Sequence, residues 1–252
     1  MSVHNAAPWL REAMESVLAQ TAADLELIVI DDGSTDATPD VLAAISDPRL
    51  RVERQEWRGL TQSLNRALRL ANAPLLARMD ADDVSLPERF ERQLAFLDAH
   101  PDVGLLGTGC HEISGAGEIL RTISPPGDDG AIRRALIRRN PFVHSSVMMR
   151  RAALERVGGY DEFLRVAQDY DLWMRMSRVT RLANLPEPLV LRRLTSGMVS
   201  RACDTERLRA ELRIKRQALR RGAYPAWCAI YLVKPLLALT IPARLREVFR
   251  GR

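Results

Sequence analysis

The sequence predicts an α/β fold: a mostly parallel sheet with helices on both faces, extended by a basic helical tail. Short apolar runs alternate with amphipathic stretches through the first half of the chain, the pattern of a sheet covered by helices. Two of those runs, residues 26–30 and 75–79, end in carboxylates. Ligands of open α/β sheets collect beyond the carboxyl ends of the strands, so both acidic ends are expected on one edge. A chain of 252 residues, 46% hydrophobic and 27% charged, is ordinary for one main globular domain.

Residues 8–20 place Leu10, Met14, Val17 and Leu18 at helical spacing. The β-branched strand 26–30 then runs into Asp31-Asp32-Gly33-Ser34-Thr35-Asp36, where Gly33 permits a tight turn and Ser34 or Asp36 can cap a helix over 38–45. Residues 50–53 read as a short strand, and 59–71 as an amphipathic helix with Leu60, Leu64 and Leu68 on one face. The strand 75–79 follows, and Pro87 opens the next helix at its first turn. In the less regular second half, 103–108 form a strand and 115–130 a loop rich in Gly and Pro. A helix begins at 168 with Trp173 and Met176 on its buried face. Asp169 lies four residues before Trp173 and shares that face. It is either an inward-pointing functional acid or a first-turn residue stabilising the helix dipole.

Arg78-Met79-Asp80-Ala81-Asp82-Asp83 packs three carboxylates into four residues. Such charges raise one another's pKa unless a cation compensates them. Oxygen-only ligands suit Mg2+ or Mn2+, held by one or two carboxylates together with substrate phosphates. The alternative is a solvated turn in which Asp83 caps a helix. Arg78 is open to two roles, contact with phosphate or pairing with a neighbouring carboxylate. Neither G-x-x-x-x-G-K-[ST] nor the dinucleotide order G-x-G-x-x-G occurs, so bound phosphates would be held through metal.

Cys110, Cys203 and Cys228 form no Cys-x-x-Cys pair, and the four histidines are scattered, which argues against a disulfide framework and a zinc site. Residues 1–4 have no secretory leader character, so the chemistry is expected in the cytosol. From Arg201 onward there are 13 Lys and Arg against 4 Asp and Glu, leaving 24 against 28 before it. The basic balance therefore belongs to the tail, and with aromatics at 5% a nucleic-acid partner is not expected.

Taken together, residues 3–10 (VHNAAPWL), Asp31-Asp32-Gly33-Ser34-Thr35-Asp36, Met79-Asp80-Ala81-Asp82-Asp83 and Gln168-Asp169-Tyr170-Asp171-Leu172-Trp173 resemble the family 2 glycosyltransferases with the GT-A fold. Gly158-Gly159-Tyr160-Asp161 and Pro186-Glu187-Pro188-Leu189 stand in the expected order, and the likeness runs from Val3 to about residue 200. The resemblance implies inverting transfer of a sugar from a nucleotide diphosphate sugar, a UDP-sugar, to a hydroxyl of a glycan or lipid-linked acceptor. It also implies roles: Asn5, Asp31, Asp32, Arg78 and Asp80 for the nucleotide, Asp80 and Asp82 for the metal, and Asp169 as general base. His4 stands where the family has Tyr, Gln168 where Glu is common, and Thr195 where many relatives have His. Only three residues precede His4, too few for an ordinary strand of about five or six. The expectation is a reading frame that begins upstream, or a short first strand with weak nucleotide affinity.

Two other readings compete. A haloacid-dehalogenase-type phosphatase also uses Asp-x-Asp after a strand, but its core Lys is missing here, since the only lysines are Lys215 and Lys234 in the tail. A non-catalytic domain that binds a nucleotide sugar is the second. The expected organisation is a catalytic domain over 1–200 and a basic helical tail over 201–252. In the tail a helix from Asp204 to Arg221 is stopped by Gly222, and an apolar run over 224–242 is interrupted by Lys234-Pro235. That run either lies peripherally on an anionic cytosolic leaflet or packs on the domain or on a homodimer partner.

Overall fold

A computed structural model describes residues 1–195 and 204–241. The expected boundary at 200 and the end of the tail, 242–252, lie outside the described residues. Strand β1 (Ser2–Val3) pairs in parallel with β2 (Leu27–Asp32), which pairs in parallel with β3 (Leu50–Gln55). Helices α1 (Ala7–Leu18), α2 (Thr38–Ala43) and α3 (Leu60–Leu70) alternate with them, as the periodicity requires. All six residues of β2 are buried, and Met1 extends the pairing by donating its amino group to the Ile28 carbonyl at 2.8 Å.

Beyond β3 the strands form a second, mixed sheet, so of the mostly parallel arrangement expected, the fully parallel part is the three-stranded sheet of the first half. Strand β4 (Leu75–Ala77) lies antiparallel to β8 (Met148–Arg150), and β8 antiparallel to β6 (Val103–Ile113). The long β9 (Arg181–Arg193) runs parallel to β6, with β5 (Val84–Ser85) antiparallel on its other side. Helix α4 (Arg89–Ala99) begins two residues after Pro87, which sits in the preceding turn. One core joins the two ladders: Val3, Leu27 and Val29 share a cluster with Met79, Leu106 and Met148.

The expected loop 115–130 contains β7 (Ile119–Ile123), an exposed strand folded back on the end of β6. Strand β6 itself runs five residues past the expected end, because β9 continues beside it. A Cβ at Gly109 would stand 2.7 Å from the Pro186 carbonyl oxygen, so this glycine serves backbone approach between strands. After α5 (Asp129–Leu136) and α6 (Arg151–Glu155), helix α7 (Gln168–Met176) buries Trp173 and Met176 completely.

Helix α8 (Asp204–Arg220) ends as expected, with Gly222 at φ 67. Its Ile214 and Ala218 join the cluster that holds Trp173, so this part of the tail packs on the catalytic domain. A 3-10 helix (Ala226–Leu232) and α9 (Val233–Thr240) follow, and among the described residues no helix is long and apolar enough to cross a membrane.

Candidate active site

The end of β4 delivers the acidic cluster. Carboxylate oxygens of Asp80, Asp82 and Asp83 all lie within 4.8 Å of one another. The buried Arg78 guanidinium grips both oxygens of Asp80, which selects pairing from its two sequence-level roles. Ser145 Oγ meets Asp80 Oδ2 at 2.7 Å and Arg78 Nη1 at 3.0 Å, and also contacts Asp83 Oδ2. The other Asp83 oxygen accepts from the Arg193 backbone N–H at 2.8 Å. Arg193 also donates through Nε to the Asp82 carbonyl at 3.1 Å and through Nη2 to Glu12 at 2.7 Å, with its guanidinium 4.4 Å over the Trp9 ring. Beneath the loop, the fully buried Arg89 donates to the Arg78 carbonyl at 3.0 Å.

Burial works against ionised Asp80, but the Arg78 charge and hydrogen bonds outweigh it and hold the carboxyl far below its usual range. Asp82 has no such partner: burial and the Asp80 charge push it up to about 6. Burial, Asp80 and Asp82 push Asp83 to about 7. Arg78 is the one cation ion-paired with the cluster among the described residues; the Arg193 charge also acts on Asp82 and the buried Arg89 lies beneath, while Asp82 itself forms no ion pair. An all-oxygen cluster with an unpaired carboxylate fits Mg2+ or Mn2+.

At the end of β2, Asp32 closes a turn, accepting from the backbone N–H of Arg58 at 2.8 Å and Gly59 at 2.7 Å and from Gln55 Nε2 at 2.7 Å. Asp31 accepts from Ser34 N–H at 3.0 Å through Oδ1, while its buried Oδ2 has no hydrogen-bond partner and lies 3.4 Å from Arg54 Nε. Asn5, at φ 52, accepts through Oδ1 from Thr35 N–H at 2.8 Å, and the His4 ring bonds the Asp32 carbonyl at 2.8 Å. Asn5 and Asp32 therefore brace the strand end through their own chain, while the second oxygen of Asp31 accepts no hydrogen bond and faces Arg54. Gly33 makes the turn possible at φ 71, and a Cβ there would meet Trp57 N at 2.7 Å. Gly33→Ala should lower stability by about 1–3 kcal/mol, read from the denaturant midpoint, because neither the backbone angle nor the neighbouring backbone can give way.

Asp169 sits in the first turn of α7, after Ala167 in the left-handed region at φ 57. Its Oδ2 accepts from Asn140 Nδ2 at 2.7 Å, and burial raises its pKa above the ordinary value against the backbone and Arg78 contributions. Asp171 is committed to Arg175 at 2.7 Å, so it is unavailable as a base. Tyr160 OH and His144 Nε2 meet at 2.9 Å, and His144 packs edge-on to Trp173. Burial raises the Tyr160 hydroxyl, and Arg78, Asp169 and Asp80 all act on it, which ties the base region to the acidic cluster. Ser145, Arg193, Asn140 and Arg89 were not singled out from the sequence. Only the run Asn140-Pro141-Phe142-Val143-His144-Ser145-Ser146, polar residues around a short apolar core, carried a signal.

These features define an α/β site with its acids at strand ends. The description Glycosyl transferase family 2 matches residues 1–158. The chain is 33% identical over 264 residues to EpsE of Bacillus subtilis (strain 168), spanning 100% of this chain and 92% of that one. It is 30% identical over 245 residues to the amylovoran biosynthesis glycosyltransferase AmsE of Erwinia amylovora, spanning 94% and 91%. The fold superposes on S. aureus TarS 1–349 in complex with UDP at a TM-score of 0.71 and 18% identity, covering 93% of this chain and 69% of that one. It superposes on the mannosyltransferase PcManGT of Pyrobaculum calidifontis, in complex with GDP-Man and Mn2+, at 0.67 and 22%, covering 99% and 77%. The chain belongs to glycosyl transferase family 2 and is a glycosyltransferase of GT-A fold. Family membership sets the phosphatase reading aside.

Proposed function

We propose that the enzyme transfers a sugar from a nucleotide diphosphate sugar, a UDP-sugar, to an acceptor hydroxyl with inversion at the anomeric carbon. The observation that carries this reading is the crowding at the end of β4, where three carboxylates meet within 4.8 Å and Asp82 forms no ion pair among the described residues. Asp80 and Asp82 would hold Mg2+ or Mn2+, which when bound neutralises the charge that develops on the departing diphosphate. Asp31 would turn its second oxygen, which accepts no hydrogen bond and faces Arg54, to an N–H of the base, at a strand end that Asn5 and Asp32 brace. Arg78 keeps Asp80 ionised and fixed.

Asp169 takes the proton of the acceptor hydroxyl. That oxygen forms the new bond to the anomeric carbon as the bond to the diphosphate oxygen breaks on the opposite face, its electron pair leaving with the nucleotide. A single displacement inverts the centre and needs no enzyme nucleophile. Asn140 fixes the Asp169 carboxylate for this step. The likeness to AmsE, a glycosyltransferase of amylovoran biosynthesis, supports a polysaccharide or cell-surface glycan as product; the cytosolic face of a membrane is the proposed place of its assembly.

The test is a panel of nucleotide sugars incubated with the enzyme and acceptor in Mn2+ and in chelator, with product configuration read by NMR. Nucleoside diphosphate release confined to the metal arm, with inverted product, is expected. Retained configuration, or equal rates in chelator, would overturn the mechanism.

A further inference from the structure

The part of the molecule that transfer chemistry leaves unexplained is its C-terminal surface. Trp227, Ile230, Val233, Leu236 and Leu237 are 47–66% exposed. They recur every three or four residues, first through the 3-10 helix, where residues three apart eclipse, and then through α9. The result is one continuous apolar stripe, and singly scattered surface apolar residues would not produce it. Trp227 stacks edge-on to Tyr231 at 6.2 Å, giving the stripe the amphipathic rings that favour a membrane–water boundary.

Next to the stripe lies a cleft of about 640 Å3 lined by Arg133, Arg178, Arg181, Arg221 and Tyr224, with Asp102 its one acid. Asp102 is taken by Arg181 at 2.9 Å and Arg133 by Asp129 at 2.7 Å, whereas Arg178 and Arg221 are exposed and form no ion pair among the described residues. Tyr224 ties the cleft to the stripe, donating its hydroxyl to the Arg133 carbonyl at 3.1 Å three residues before Trp227. On the other side of the same segment the Arg138 guanidinium lies 5.1 Å over the Tyr231 ring.

From these contacts we infer that residues 221–241 and the arginine cleft form a docking surface for an anionic phospholipid bilayer, with the stripe entering the acyl boundary and the cleft taking a lipid phosphate. Charge selects this occupant. Residues 221–241 contain Arg221 and Lys234 and no Asp or Glu, and the cleft adds Arg133, Arg178 and Arg181 against Asp102, so a second copy would bring like charge against like. A nucleic acid would satisfy the arginines and leave Leu236 and Leu237 in water. Arg138, which lies over the Tyr231 ring, stands two residues before Asn140, which holds Asp169.

The inference extends the reading of a membrane-borne acceptor, but vesicle binding is measured without a sugar donor, so its failure leaves the transfer mechanism standing. The full chain is sedimented with phosphatidylcholine vesicles and with vesicles that also contain phosphatidylglycerol, with and without inorganic phosphate. Binding confined to the anionic vesicles and weakened by salt is expected. Arg178→Ala with Arg221→Ala should weaken it roughly fivefold per arginine. Trp227→Ser with Leu237→Ser should weaken it about tenfold or more, with the unfolding midpoint unchanged because both side chains are exposed. Competition by inorganic phosphate against the parent but not the arginine variant supports phosphate capture in the cleft, and competition that is equal for both places the phosphate elsewhere and overturns the cleft. No binding, equal binding to both vesicles, or a concentration-dependent dimer abolished by the serine variant without vesicle binding would overturn the docking surface.

Discussion

Asp169→Asn should leave donor affinity close to that of the parent while transfer falls by about 10²- to 10⁴-fold, the usual contribution of a positioned general base. The amide keeps the size of the side chain and can still meet Asn140, but it cannot take the acceptor's proton. The pH profile gives an independent readout. Burial raises the Asp169 pKa above its ordinary 3.8, and a base works only when deprotonated. Turnover of the parent should therefore rise with pH through a midpoint above that value, and the variant should lose this limb. Calorimetry of the donor with Mn2+, alongside initial rates across pH, measures both. Near-normal turnover in the variant would reduce Asp169 to a helix-dipole residue, and Asp171, held by Arg175, offers no replacement.

Asp82→Asn should act on the other half of the reaction. Loss of an outer-shell partner of a bound metal costs roughly 10- to 100-fold in metal affinity, so loss of a direct carboxylate ligand should exceed about 100-fold. Metal-dependent donor binding should fall accordingly, with the residual binding seen in chelator unchanged. The fold should tolerate the change, because removing one of three crowded carboxylates relieves repulsion around Asp83, itself pushed up to about 7 by burial and its two neighbours. Thermal unfolding without metal should therefore be no lower than in the parent. Donor binding that stays equally metal-dependent in Asp82→Asn would remove this residue from the site.

The contrast between these two acids and the rest of the site shows what a sequence can carry. The placement of Asp80, Asp82 and Asp169 was legible because each signal is local: a carboxylate cluster after an apolar run, and an acid one helical turn from a buried Trp. The placement of Asp31 and Asp32 at a strand end was read in the same way, although only the folded chain separates them, Asp32 closing a turn and Asp31 facing Arg54. Ser145 and Arg193 were not legible. Ser145 reaches Asp80 across 65 residues and Arg193 reaches Asp83 across 110, and neither lies in a segment with a distinctive period. Strand β9 was not read from the sequence, and its Pro186 and Pro188, which cannot donate to a ladder, give it no clear strand pattern. In the fold they are accommodated where the register against β6 shifts at Gly109.

The grip of Arg78 on Asp80 has a kinetic meaning. Because the guanidinium already meets both oxygens, Asp80 is never a bare ligand, and an ion held there would share the carboxylate's remaining lone pairs with a buried arginine whose charge opposes its own. A cation that arrives already chelated by a diphosphate would bring its own anionic oxygens and so offset that opposition. If Asp80 and Asp82 hold the metal, the pairing would favour an order of events in which metal and nucleotide enter as one cargo.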